Sequence, residues 1–156
     1  MITIDIPGRE APLQIRHVVL DYNGTIARDG QLLPEAAQRI TALAEQVPVY
    51  ILTADTYGNV AAQCRPLNVC IKTFPQAGAA VCKARIVSDL GRGVCAVGNG
   101  FNDIPMFDGA ELAIAVMERE GVCAKLISHA DVLTASPADA LDLLLKPDRL
   151  RATLRT

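Results

Sequence analysis

Four short stretches of the chain combine residue types that can carry out phosphate chemistry. They are Asp21-Tyr22-Asn23-Gly24-Thr25, Thr53-Ala54-Asp55, Lys83 at the head of Lys83-Ala84-Arg85-Ile86-Val87, and Gly98-Asn99-Gly100-Phe101-Asn102-Asp103. A carboxylate can attack phosphorus and form an aspartyl phosphate, dividing one difficult displacement into two easier ones. It must approach an anion to do so, which calls for a cation and a lysine to neutralise charge. Singly, each stretch has a plainer reading. Asn23-Gly24 is a strong turn signal. Thr53 and Asp55 can cap a helix, and Asp103 can be an acidic first-turn residue. Lys83 can be a surface lysine. Lys72 competes for the role of Lys83, but it lies nearer a strand end. His17 and His129 fall outside all four stretches and read as structural.

What lifts the four above their plain readings is the set of elements that must position them. Ile2 to Ile6 alternates as a half-buried strand, and Leu13 to Ile15 can pair with it as a hairpin. Strand and helix then alternate. Short apolar strands are expected at 17–20, 49–52, 69–71, 94–97, 112–116 and 132–133. Helices are expected at 34–46, 60–64, 79–90, after 102, at 122–127 and at 137–145. Strands apolar throughout and separated by helices imply a parallel sheet covered on both faces. The expected fold is therefore α/β, doubly wound and Rossmann-like, as a single domain over 1–156: an N-terminal hairpin (1–16), a core (17–145) and a C-terminal helix or tail (146–156). In such sheets ligands bind beyond the carboxyl ends of the strands. Asp21, Thr53 and Gly98-Asn99 all fall there.

Composition narrows the remaining classes. The chain has 156 residues, 51% of them hydrophobic, which is enough for one buried core. Its net charge of −2 gives no electrostatic case for nucleic acid or an anionic membrane. Lys146, Arg149, Arg151 and Arg155 alternate with apolar residues, as on a solvated terminal helix. No apolar run is long enough to span a bilayer and the first ten residues lack signal-peptide features, so a cytoplasmic protein is expected. Cys64, Cys70, Cys82, Cys95 and Cys123 form no C-x-x-C pair. Buried free thiols are expected, with Cys70 and Cys95 inside strands.

The stretches DYNGT, TAD, KARIV and GNGFND resemble, in order, the four motifs of the haloacid-dehalogenase (HAD) superfamily. More narrowly, they are similar to the phosphorylation domain of P-type ATPases, with its D-K-T-G-T, T-G-D, K-A-R-I-V-like and G-D-G-x-N-D motifs. The nearest likeness is to the small soluble P-type-ATPase-like HAD proteins, over nearly the whole chain. The resemblance implies a hydrolase in which Asp21 is the phosphorylated nucleophile and Asn23 occupies the acid–base position. Gly24 would let amides near it, including that of Thr25, face the phosphate. Thr53, Ala54, Lys83 and Asn102 would contact the phosphoryl group. It implies Mg²⁺ as cofactor, held by Asp21, the carbonyl of Asn23, Asn99 and Asp103.

Two departures bear on mechanism. HAD phosphatases usually have aspartate where this chain has Asn23, and an amide has no proton to exchange near neutral pH. P-type ATPases also lack an acid there and keep a phosphoenzyme. Slow hydrolysis, a good leaving group such as an acyl phosphate, or a persistent phosphoenzyme is therefore expected. The second departure is Asn99, which stands where the pattern has an aspartate, so metal affinity should fall while ionisation of Asp21 becomes easier.

The chain is too short after Asp21 and after Ile71 to hold a cap domain. An open site suits a large substrate, a protein partner or closure by another subunit, and the expected partners are a small phosphorylated substrate or a phosphoprotein, with a homo-oligomer covering the site. A catalytically impaired HAD domain serving as a binding or regulatory module is the alternative. A receiver domain would need an acidic pair before Asp21, and a dehalogenase would not need Asp103.

Overall fold

The computed structural model describes residues 1–55 and 58–156. The first pair of strands, β1 (Ile2–Ile4) and β2 (Leu13–Ile15), is antiparallel with Ile2 opposite Ile15. Their apolar side chains point into the main core, and so does Ile6. The hairpin is thus part of the packed body.

The central sheet has six parallel strands. β3 (His17–Asp21) lies at its middle, flanked by β6 (Val49–Thr53) and then β7 (Cys70–Thr73) on one side. On the other side run β8 (Val94–Gly98), β9 (Leu112–Val116) and β10 (Val132–Thr134). The chain builds outward from β3 to β7, then returns to the far side of β3 with β8. That reversal opens a crevice at the carboxyl ends of β3 and β8, which is where Asp21 and Asn99 stand.

Alternation along the buried strands divides the core into two layers. Val18, Leu20, Ile51, Cys95, Val97 and Ile114 face one layer with helices α1 (Pro34–Ala44), α6 (Pro137–Leu145) and α7 (Pro147–Leu154). Val19, Leu52, Val94, Ala96 and Ala113 face the other with α3 (Ala79–Leu90), α4 (Ile104–Asp108) and α5 (Ala124–Ile127). A short α2 (Val60–Cys64) precedes β7. Proline opens α1, α6 and α7, where its missing N–H is not needed. Arg39 of α1 reaches Asp142 of α6 at 3.0 Å, and Lys146 and Arg149 meet the same buried carboxylate. These cations hold its pKa below the usual aspartate value against the opposing effect of burial. The basic C-terminal segment is therefore a structural tie: Leu150 is buried, and Arg151 donates to the carbonyl of Asp5 at 2.8 Å.

Several boundaries differ from expectation. The first helix ends at Ala44, two residues early; β7 starts one residue late and runs on to Thr73; α5 starts at Ala124. Cys70 is exposed, because β7 is an edge strand covered on one side only, while Cys82 and Cys123 are partly exposed. Only Cys64 and Cys95 are buried thiols. A small hairpin not expected from the sequence, β4 (Ala27–Arg28) and β5 (Gln31–Leu32), follows the first motif. Its turn, Asp29-Gly30, has φ of 51° and 78°, the left-handed pair that a type I′ turn requires.

Candidate active site

Asp21 ends β3 at the floor of the crevice and is 7% exposed. Its Oδ1 accepts from the Lys83 ammonium at 2.6 Å and its Oδ2 from the Thr25 hydroxyl at 2.8 Å. Both carboxylate oxygens are thus fixed before any ligand arrives. Lys83 projects from α3 across the ends of the strands, and only 3% of it is exposed. It also donates to Asp103 Oδ1 at 2.7 Å and to the side-chain oxygen of Asn102 at 3.2 Å. Burial works against its charge, but the two carboxylates outweigh that and hold its pKa above the ordinary lysine value.

Asp103 is fully buried. Its Oδ1 serves Lys83, and its Oδ2 accepts the backbone amides of Asn99 at 3.1 Å and Gly100 at 2.9 Å. Burial, reinforced by the charge of Asp21, pushes its pKa up to about 6 despite the lysine. One ammonium serving two buried carboxylates leaves a net negative charge, which is why the second is harder to ionise. Asp103 stands behind Lys83 and braces the loop after β8.

A cavity of about 280 Å³ opens above Asp21. Its walls include Asn23, Thr53, Ala54, Lys83, Asn99 and Asn102, together with Phe74, Gln76 and Ala79. The Thr53 hydroxyl oxygen accepts the Asp55 amide at 2.8 Å, leaving its own proton to donate. Asp55 in turn accepts from the amide of Val60, the first residue of α2, at 3.3 Å, as a capping residue would. Among the described residues, Asp21 and Lys83 are the only titratable side chains on the cavity wall.

The turn after Asp21 departs from expectation in one respect. The amides of Gly24 and Thr25 point back into the turn, to the carbonyls of Ala27 at 2.9 Å and Tyr22 at 3.3 Å. The small hairpin closes that turn, so neither amide faces the cavity; Thr25 contributes through its hydroxyl instead. Gly24 is required there on two counts. Its φ is +77°, and a Cβ would lie 2.3 Å from Asn99 Nδ2.

The remaining candidates lie elsewhere. Lys72 is exposed and borders a different cavity, with Tyr50, Ile86, Asp89 and Leu90. His17 leans on Tyr50, with ring centroids 5.9 Å apart, and its Nδ1 is buried without a partner among the described residues. His129 pairs with Asp108 at 2.7 Å. The sequence reading missed the hairpin β4–β5 and the turn 118–121, which touches both that hairpin and Asn99.

The donor set can be weighed against a hard divalent cation. No cluster of three or more His, Cys, Asp or Glu suited to a metal occurs among the described residues. Mg²⁺, however, is commonly held by one or two carboxylates together with water and substrate phosphate. The wall offers Asp21 and the side-chain oxygens of Asn23 and Asn99. Asn23 Oδ1 is buried with no hydrogen-bond partner among the described residues, an oxygen suited to a cation. The residues present therefore fit a weakly held ion completed by a phosphate ligand.

No helix among the described residues is long and apolar enough to cross a membrane. No protein-family model matches the chain. An uncharacterized protein of Methanocaldococcus jannaschii is 38% identical over 80 residues, covering 48% of this chain and 86% of that protein. Among solved structures, the cobalt-bound deoxy-D-mannose-octulosonate 8-phosphate phosphatase of Haemophilus influenzae superposes with a TM-score of 0.73 at 13% identity, covering 92% of this chain and 95% of that one. The 3-deoxy-D-manno-octulosonate 8-phosphate phosphatase of Moraxella catarrhalis, in complex with magnesium, phosphate and the sugar acid, gives 0.71 at 18% identity, covering 90% and 94%. The chain thus belongs to one family with the archaeal protein, and its fold is that of a small HAD hydrolase domain lacking a cap.

Proposed function

We propose that the chain is a metal-dependent HAD-type phosphatase that works through an aspartyl phosphate on Asp21. The observation that carries this reading is the fixed carboxylate at the cavity floor, with one oxygen on Lys83 and the other on Thr25. Asp21 attacks phosphorus, the bond to the leaving oxygen breaks, and the leaving group departs with the electron pair. Water then cleaves the acyl phosphate, giving inorganic phosphate and the free carboxylate. The Thr53 hydroxyl and the Asn102 side-chain amide would donate to the phosphoryl oxygens, and Lys83, whose three N–H groups go to Asp21, Asp103 and Asn102, would meet them by giving up its bond to Asn102. Asp21, Asn23 and Asn99 would hold Mg²⁺, which supplies charge neutralisation at the phosphoryl group. Asp103, expected above as a further ligand, holds Lys83 beside them.

With Asn23 in the acid–base position, and Lys83 on the described wall held charged by two carboxylates, the leaving group must depart without a protein proton. That favours acyl phosphates or other reactive esters, and slow turnover. The substrate is a small phosphorylated molecule or a phosphoprotein, with a second copy of the chain as a candidate cover for the open site. Asn23 and Asn99 also favour a second reading, a domain that holds phosphate for binding or regulation without turnover.

The test is a panel of phosphate donors with Mg²⁺, reading released phosphate for the wild type and Asp21→Asn. Turnover lost in the variant supports the enzyme. Phosphate-mimic binding without turnover supports the module. Equal turnover in both proteins contradicts the mechanism.

A further inference from the structure

Asn99 looks at first like a carboxylate lost. Its surroundings are nevertheless built for an amide. Asn99 Nδ2 donates to the carbonyl of Gly121 at 3.1 Å, while Oδ1 lies 3.2 Å from the Thr25 hydroxyl. The main chain of the same residue is held on both sides, its N–H by Asp103 and its carbonyl by the Cys123 amide at 2.7 Å. With the backbone so held, a carboxylate in this rotamer would put an oxygen against the Gly121 carbonyl with no proton between them.

The carbonyl of Gly121 is itself held in place. The turn is closed by the Gly121 amide on the Glu118 carbonyl at 2.9 Å. Glu118 pairs through both carboxylate oxygens with Arg28 of the hairpin β4–β5, its Oε2 accepting from Arg28 Nε at 3.0 Å. This pairing holds the Glu118 pKa below the usual carboxylate range. Glu120 accepts the Asp29 amide at 3.1 Å, so the turn is fastened to the hairpin twice.

We propose that the turn Glu118–Gly121, fastened to Arg28, is a positioning device that aims the Asn99 side-chain oxygen toward Thr25 and Asp21 and selects an amide at position 99. Glu118 and Arg28 act through Asn99 and are positioning residues. The proposal rests on the phosphoryl-transfer reading for its kinetic consequence only.

The experiment has two arms. In the first, the Asn99 side-chain amide resonances, assigned by their loss in Asn99→Asp, are followed in ¹⁵N-labelled protein without donor or metal. Glu118→Gln and Arg28→Gln are expected to move them and to speed their exchange, while backbone resonances of the distant sheet edge stay in place. Unmoved Asn99 resonances in both variants overturn the proposal. In the second arm, phosphorylation of Asp21 by acetyl phosphate with Mg²⁺ is measured in Glu118→Gln, Asn99→Ala and the double variant. Glu118→Gln is expected to lower the maximal rate about tenfold with little change in KM, and to cost little more once Asn99 is gone. Additive losses contradict the proposal. Because the resonance arm needs no chemistry, failure of the clamp and failure of the phosphatase reading are separately visible.

Discussion

Replacing Lys83 with methionine tests the electrostatic logic of the site most severely. Lys83 is the cation between the buried carboxylates Asp21 and Asp103, at 2.6 and 2.7 Å. Methionine fills similar space but leaves two buried carboxylates facing each other without a countercharge. Removing one partner of a buried pair costs about 3–5 kcal/mol. In a domain of this size that lowers the melting temperature by about 6–20 °C. The loss should depend on pH, with a definite sign. Asp103 is already pushed up to about 6 by burial and by Asp21, whereas an unfolded aspartate titrates near 3.9, so the folded state binds its proton more tightly (about 3.9 from). Stability from such a group is present at low pH and is lost as pH rises through the folded value. Without the lysine only the hydrogen bond from the Gly100 amide opposes the upward shift, so it grows. Urea unfolding of the wild type and Lys83→Met at pH 5 and pH 8 should therefore show the larger deficit at pH 8. A deficit below about 1 kcal/mol at pH 8, or one equal at both pH values, would refute the reasoning.

Three further outcomes are expected. Asn23→Asp restores a titratable group beside Asp21 and should raise steady-state phosphate release by about a hundredfold or more; an unchanged rate would show that another group already serves as acid. Gly24→Ala meets both a left-handed φ and a Cβ 2.3 Å from Asn99 Nδ2, so thermal unfolding should reveal a loss of at least about 2 kcal/mol. In the native protein, Cys70 should react readily with a thiol reagent, while Cys95, whose pKa burial drives far up, should react only on unfolding; intact-mass labelling reads both.

The sheet and the ends of its strands were legible because the information is local. Five-residue apolar runs such as Val94 to Gly98, alternating with helices, are what a parallel sheet covered on both faces requires, and ligands then bind just beyond Asp21, Thr53 and Gly98. Less legible was whatever depends on pairing at a distance. Arg28 and Glu118 are 90 residues apart and carry no motif. Gly121 matters through its carbonyl, which every residue possesses. The hairpin β4–β5 has strands of two residues, too short for alternation to show, although Asp29-Gly30 is a turn signal that could have found it. Cys70 was misjudged because an apolar neighbourhood does not distinguish an edge strand from a central one. The partners of Asp103 could not be read either, because the lysine and the two backbone amides that it holds come together only in the fold.

Whether Asp21 takes the phosphoryl group is read by intact mass with peptide mapping after exposure to acetyl phosphate and Mg²⁺. One added phosphoryl group is expected, mapped to Asp21, formed with metal and absent in Asp21→Asn. Covalent phosphate at another residue, or a wild type that releases phosphate from the donor as fast with Asp21 replaced, would contradict that role for Asp21.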